Sequence, residues 1–182
     1  MLPAQFRPEQ VTAVVDTRER IPLDLTPLKT VRKTLVTGDY SVQGLEDIIA
    51  VERKSLADLV ACTGVERVRF GREVKRLFAY PERALVVEAT RQEVEAGRWR
   101  SRTRPNAVNG RLLGWMASGL PVILAGDHQR AGLFASRLLF IAARRRWEEA
   151  RALCNGVLAD QDLPRRPRRK DLQRNRGMKS RG

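Results

Sequence analysis

Residues 48–58 read Ile-Ile-Ala-Val-Glu-Arg-Lys-Ser-Leu-Ala-Asp, and the stretch turns from wholly apolar to charged within one position. That switch constrains the fold more than any other feature. A short apolar run bounded by turn residues fits a buried strand, and a buried strand needs layers packed against it. Glu52 and Lys54 are two apart, so on a strand they share one face. A carboxylate beside an ammonium at the end of a buried strand is an unusual surface. Ser55 and Asp58 have the spacing of a helix N-cap and its capping partner. Upstream, Gly38-Asp39-Tyr40 places a second carboxylate in a turn. Asp16 and Glu19 directly follow the apolar run 11–15. Acids and one lysine thus gather where apolar runs meet turns.

The remaining pattern alternates strands with helices. Strands are expected at residues 11–15, 31–37, 40–42, 48–54, 84–87 and 122–125. Helices are expected at 55–62, 63–80, 90–97, 106–118 and 129–153. Thr63 with Glu66 and Thr90 with Glu93 repeat the capping spacing, while Pro81, Gly97 and Gly119 act as stops. This is an α/β pattern with a mixed central sheet flanked by helices. Residues 1–10 read as a lead-in, 11–155 as one domain, and 156–182 as a basic tail too poor in apolar residues to build a core. Within the last helix Leu133, Phe134, Leu138, Leu139, Phe140 and Ile141 exceed one narrow stripe. That excess predicts burial on two sides, one of them against a partner subunit.

Charge divides the chain. Residues 1–97 hold fifteen Lys/Arg against fifteen Asp/Glu, and residues 98–182 hold twenty against six, which carries the whole net charge of +14. Such a balance favours a polyanionic partner, nucleic acid before membrane. The tail is expected to add salt-dependent, non-specific phosphate binding. It has no apolar helix face to insert into a lipid surface, so no membrane role is expected. Cys62 and Cys154 lack metal-ligand spacing and are expected to be reduced and partly buried in an intracellular protein. With His128 the single histidine, a histidine triad or zinc site is not expected, and His128 itself reads as a surface residue. No signal-peptide pattern opens the sequence. The expected location is cytoplasmic or nucleoid-associated, or nuclear in a eukaryote.

The acids suggest chemistry. Hydrolysis of a phosphodiester needs a hard divalent cation, a positioned water and stabilisation of developing charge. Carboxylate oxygens suit Mg²⁺ or Mn²⁺, and a lysine beside them can orient water and offset charge. Asp39, Glu52 and Lys54 supply these parts in the pattern Asp…Glu-x-Lys of restriction-endonuclease-like nucleases. Each residue also has a plainer reading. Glu52–Lys54 can be a surface ion pair, Asp39 a turn residue, Asp58 a helix cap, and Arg67 to Arg76 a solvated helix face. The loop 98–105, with four arginines and Trp99, can hold phosphates and stack on an unpaired base, or simply be mobile.

A longer signature favours the catalytic reading. Gly38-Asp39, a spacer, then Glu52-Arg53-Lys54 and Asp58 resembles the XPF-type structure-specific endonucleases. Asp16-x-x-Glu19 after the first strand is similar too, as is Arg69-Phe70…Glu73…Arg76-Leu77. The resemblance runs over residues 11–151 and is strongest up to Leu77. It implies a restriction-endonuclease-like fold, Mg²⁺ or Mn²⁺ dependence, and cutting of branched, flap or fork DNA near a duplex–single-strand junction. It implies Asp39 and Glu52 as metal ligands, with Asp16 and Glu19 ligating or supporting the metal. Lys54 would stabilise the transition state, Arg53 would orient the acids or touch phosphate, and Asp58 would organise the ligands from behind. Arg69, Arg72, Arg76, Trp99, Arg100 and Arg102 are the candidate DNA contacts. Family members dimerise through the last helices of this domain, which implies a homodimer or heterodimer through residues 133–141. The helix-hairpin-helix or helicase regions usual in the family are not legible here, so a partner is expected to help with junction geometry. The competing reading is a catalytically silent, DNA-binding relative that scaffolds an active partner. Silent copies lose acids of the motif, and this chain has Asp39, Glu52, Lys54 and Asp58.

Overall fold

The apolar run at residues 49–51 does form the centre of the molecule. The computed structural model describes residues 5–159. Its strands are β1 (Thr12–Val15), β2 (Lys29–Arg32), β3 (Tyr40–Val42), β4 (Ile49–Ser55), β5 (Glu82–Glu88) and β6 (Val122–Leu124). Its helices are α1 (Leu56–Thr63), α2 (Arg67–Leu77), α3 (Arg91–Ala96), α4 (Pro105–Ala117) and α5 (His128–Ala159). The strands form one mixed sheet in the order β2-β1-β3-β4-β5-β6. β3 runs antiparallel to both β1 and β4, and the other neighbours are parallel. Among the described residues, 5–145 form one compact unit and 146–159 belong to a second.

Period-two alternation on β4 sets up the site. Ile49 and Val51 join the core beneath α5, with Ala131, Ala135 and Leu139, whereas Ala50 joins the opposite core with Leu59, Phe70 and Leu77. Continuing that alternation puts Glu52 and Lys54 on the α1–α2 side and Arg53 on the α5 side. β4 and β5 pair over seven residues, from Ile49↔Glu82 to Ser55↔Glu88. That long register, buried on both faces, fixes which side each charged residue takes.

Several expectations are corrected. The strand expected at 31–37 is Lys29–Arg32 instead. β1 ends at Val15, whose carbonyl takes the last bond between the two strands from the Lys33 amide at 3.1 Å; the chain then leaves the sheet, and the Leu35 amide turns inward to Asp16. Thr63 and Glu66 form no capping box. The Thr63 hydroxyl donates back to the Leu59 carbonyl inside α1, and α2 starts at Arg67 and stops at Leu77. The Thr90–Glu93 box and the left-handed Gly97 cap do form. α5 starts one residue earlier than expected and continues to Ala159, into the expected tail; the tail beyond it lies outside the described residues. Cys62 is buried, but Cys154 is exposed. The lead-in carries a short 3-10 turn (Pro8–Gln10), and Phe6 stacks on Phe140 at 5.8 Å. Leu133, Phe134 and Ile141 remain exposed on α5. No helix among the described residues is long and apolar enough to cross a membrane.

Candidate active site

Asp39 is held by backbone on three sides. Its amide donates to the Val51 carbonyl at 2.9 Å, its carbonyl accepts from the Asp16 amide at 2.8 Å, and its Oδ2 accepts from the Arg53 amide at 2.8 Å. Gly38 makes this turn possible. Its φ is +79°, and a Cβ there would sit 3.0 Å from the Val51 carbonyl oxygen. The turn thereby presses the carboxylate against the end of β4. One strand over, Glu52 is buried and its Oε1 pairs with the Lys54 ammonium. That ammonium also lies 4.9 Å from the centroid of the Phe70 ring, a cation–π contact from α2.

Burial shapes the electrostatics. Asp39 is pushed up to about 7, first by burial and then by the neighbouring Glu52 charge, against the Arg53 amide and Lys54. Burial likewise pushes Glu52 up, with Lys54 opposing. Burial alone would pull Lys54 down, but Glu52 and Asp39 more than offset it and hold the ammonium above its ordinary value. Two desolvated carboxylates that repel one another favour a cation between them. Their oxygen-only donor set suits Mg²⁺ or Mn²⁺. Among the described residues no three His, Cys, Asp or Glu side chains converge as a metal cage. Asp39 and Glu52 fit the alternative, in which two carboxylates leave the remaining positions to water and phosphate, a habit of Mg²⁺.

A cleft of about 180 Å³ gathers Asp39, Glu52, Lys54, Arg69 and Arg76 from the sequence-based candidates. It also includes Arg18 and Glu73, to which sequence reasoning gave no role. Glu73 belongs to the signature already named, and positions 69, 73 and 76 share one helical face. Arg69 is tied to Glu66 at 2.5 Å and Glu73 at 3.5 Å.

Other candidates lie elsewhere. Asp16 is fully buried, and its two oxygens accept from the Arg18 amide and guanidinium and from the Leu35 amide. Burial would raise its pKa, but these donors hold it below the ordinary value. With both oxygens doubly occupied, Asp16 is an anchor for Arg18 rather than a metal ligand. The Arg53 guanidinium points to the opposite sheet face. There its Nε donates to Glu88 at 2.7 Å, and Nη1 lies 3.8 Å from Glu19. Arg53 therefore orients Asp39 through its amide, and its side chain is not directed at the cleft. Glu19 sits with Arg53 rather than in the cleft, although its charge still pushes Asp39 upward. His128 is not an idle surface residue, because its Nδ1 lies 2.6 Å from Glu88. Only the fold, which brings α5 to the end of β5, could reveal that cluster.

Asp58 is exposed; its carboxylate accepts from the Ser55 hydroxyl at 2.6 Å, and its amide donates to that hydroxyl at 3.2 Å. It caps α1 and makes no bond to the paired acids. Trp99 is half-buried against the core, and its indole N–H donates to the Thr103 carbonyl at 2.8 Å. That bond staples Trp99 to its own loop. Arg72, Arg100 and Arg102 are exposed and outside the cleft.

Known proteins agree with this geometry. The ERCC4 domain profile matches residues 15–138. The chain belongs to the ERCC4 domain family. Its sheet and flanking helices match the nuclease fold of XPF from Aeropyrum pernix at a TM-score of 0.59 and 23% identity, covering 72% of this chain and 61% of that one. XPF from Aeropyrum pernix in complex with DNA matches at a TM-score of 0.60 and 22% identity, covering 75% of this chain and 66% of that one. The chain spans less than two thirds of either structure. No curated protein matches it. The restriction-endonuclease-like, XPF-type nuclease domain expected from the motif is therefore the fold of this ERCC4 member.

Proposed function

We propose that this chain is a Mg²⁺- or Mn²⁺-dependent endonuclease that hydrolyses phosphodiester bonds in flap, fork or otherwise branched DNA near duplex–single-strand junctions. The observation that carries the proposal is the desolvated Asp39–Glu52 pair beside Lys54, in a cleft rimmed by arginines. The ERCC4 family match and the neighbour solved with DNA support the choice of substrate.

Asp39 and Glu52 would hold the metal, which supplies Lewis acidity and a more acidic bound water. Lys54, fixed by Glu52 and Phe70, orients the water and offsets charge developing on the phosphate. Arg69 and Arg76, from α2, draw the DNA backbone to the cleft. The basic residues beyond Gly97 add non-specific attraction that falls with salt. A DNA substrate supports a cytoplasmic or nucleoid-associated location, or a nuclear one in a eukaryote. The exposed apolar residues of α5 support a dimer interface, with a second copy or with a related chain.

Cleavage of a labelled 3′-flap or splayed-arm DNA with Mg²⁺ or Mn²⁺, by wild type and Glu52→Ala, tests the proposal. Metal-dependent cutting that disappears in the variant is expected. Tight binding without cutting on flaps, forks, four-way junctions and single strands would overturn catalysis and leave a DNA-binding scaffold.

A further inference from the structure

Arg18 is the cleft residue that the motif does not explain. Its side chain is 68% exposed, yet it is anchored to a carboxylate that is only 1% exposed. Nε donates to Asp16 Oδ1 at 2.7 Å, and Nη2 donates to Asp16 Oδ2 at 3.0 Å and to the Leu35 carbonyl at 2.8 Å. An arginine has five N–H donors in a rigid planar fork. Three are spent on these anchors, and both remaining donors are on Nη1. No hydrogen bond to Nη1 occurs among the described residues, and Arg18 lines the cleft beside Asp39, Glu52 and Lys54.

We propose that Arg18 is a substrate-contacting residue, with Nη1 taking a non-bridging phosphate oxygen of the DNA strand lying in the cleft. The inference rests on the nuclease reading and adds to it a contact from the loop after β1.

The anchoring is what separates Arg18 from an ordinary exposed arginine. A free arginine loses rotamer entropy when it grips a phosphate, whereas one already held gives up less. The base of Arg18 is braced as well. The hydroxyls of Thr17 and Thr34 are bonded at 3.0 Å, joining the loop after β1 to the segment after β2. Arg32 Nη2 reaches the Thr17 carbonyl at 3.2 Å and the Glu19 carbonyl at 2.6 Å. Asp16 therefore acts as a positioning residue for Arg18. The alternative is that Arg18 serves only to neutralise the buried Asp16.

Arg18→Lys separates the two roles. A lysine ammonium can still neutralise Asp16, so the variant stays folded, but it has no second edge to offer. The probe is a fluorescein-labelled 3′-flap DNA, titrated with the full chain in EDTA across a series of KCl concentrations. Arg91→Lys, an exposed residue paired with Glu95 on α3, serves as a control. Arg18→Lys is expected to weaken binding about 10-fold and to lower the log–log salt slope by about one phosphate contact. Arg91→Lys and the melting temperature of Arg18→Lys should match wild type. Wild-type affinity and slope for Arg18→Lys, in a wild type that binds and cuts, would overturn the role of Arg18 alone. A wild type that neither binds nor cuts would overturn the nuclease reading and this inference with it.

Discussion

Arg53 bonds Asp39 with its amide at 2.8 Å, while its side chain is bound on the other face of the sheet by Glu88 at 2.7 Å. A single residue of β4 thus links the cleft side of the sheet to the α5 side. Glu88→Ala leaves the Arg53 guanidinium without its principal partner. A drop of about 1–3 kcal/mol in stability is expected, the usual cost of an unsatisfied buried group. Single-turnover cleavage should slow about 10-fold while DNA affinity stays unchanged. Unaltered cleavage in a destabilised variant would show that the link matters to folding alone.

The raised pKa of Asp39 carries a cost. The folded state keeps a proton that the unfolded state has already lost, so metal-free stability falls as pH rises from the ordinary carboxylate value to about 7. Asp39→Asn removes the buried charge. Its melting temperature in EDTA at pH 8 should exceed that of wild type by a few degrees, on the order of what 1 kcal/mol gives a domain of this size. Adding Mg²⁺ should raise the wild-type melting temperature and leave the variant unmoved. A less stable metal-free variant would contradict this account of the site.

Asp16 behaves in the opposite sense. Its folded pKa lies below the ordinary value, so its contribution is present above that value and is lost as pH falls through the folded pKa. Urea unfolding of wild type from about pH 6 to pH 2.5 should show this acid-side loss. Asp16→Asn should be less stable near neutrality, by about 2 kcal/mol for charge-assisted hydrogen bonds, with a flatter acid limb. Parallel limbs for the two proteins would exclude Asp16 as their source.

The α5 face can be tested without DNA. Leu133, Phe134 and Ile141 are 45%, 38% and 53% exposed. Leu133→Glu with Ile141→Glu puts charge on that face without reaching the buried Leu139. Sedimentation velocity should show a dimer for wild type and a monomer for the double variant. A monomeric wild type across the micromolar range would remove the proposed self-association.

The most legible part of the sequence was β4, because burial, alternation and a helix cap all point the same way at residues 49–58. The facing of Glu52 and Lys54 followed from period two alone. The end of β2 was not legible: residues 33–36 are Lys-Thr-Leu-Val, and their β-branched character fits a strand as well as a loop. What decided the matter was the absence of a pairing partner beyond Val15. Asp16 was recognised as important, but its role depended on Arg18 and Leu35, and the bond to Leu35 joins residues 19 apart in sequence. Glu88 and His128 are 40 apart, and no local pattern could join them. No local pattern shows that the Trp99 indole N–H is bound by the Thr103 carbonyl.

The seven-residue register between β4 and β5 also sets a rule for how this domain can vary in length. One extra residue between Ile49 and Glu52 would turn Glu52 and Lys54 toward α5 and Arg53 toward Phe70, emptying the cleft and burying charge in both layers at once. Two extra residues would restore the facing but carry the acid past Asp39. This strand admits neither insertion nor deletion, so its register against β5 acts as the ruler of the cleft.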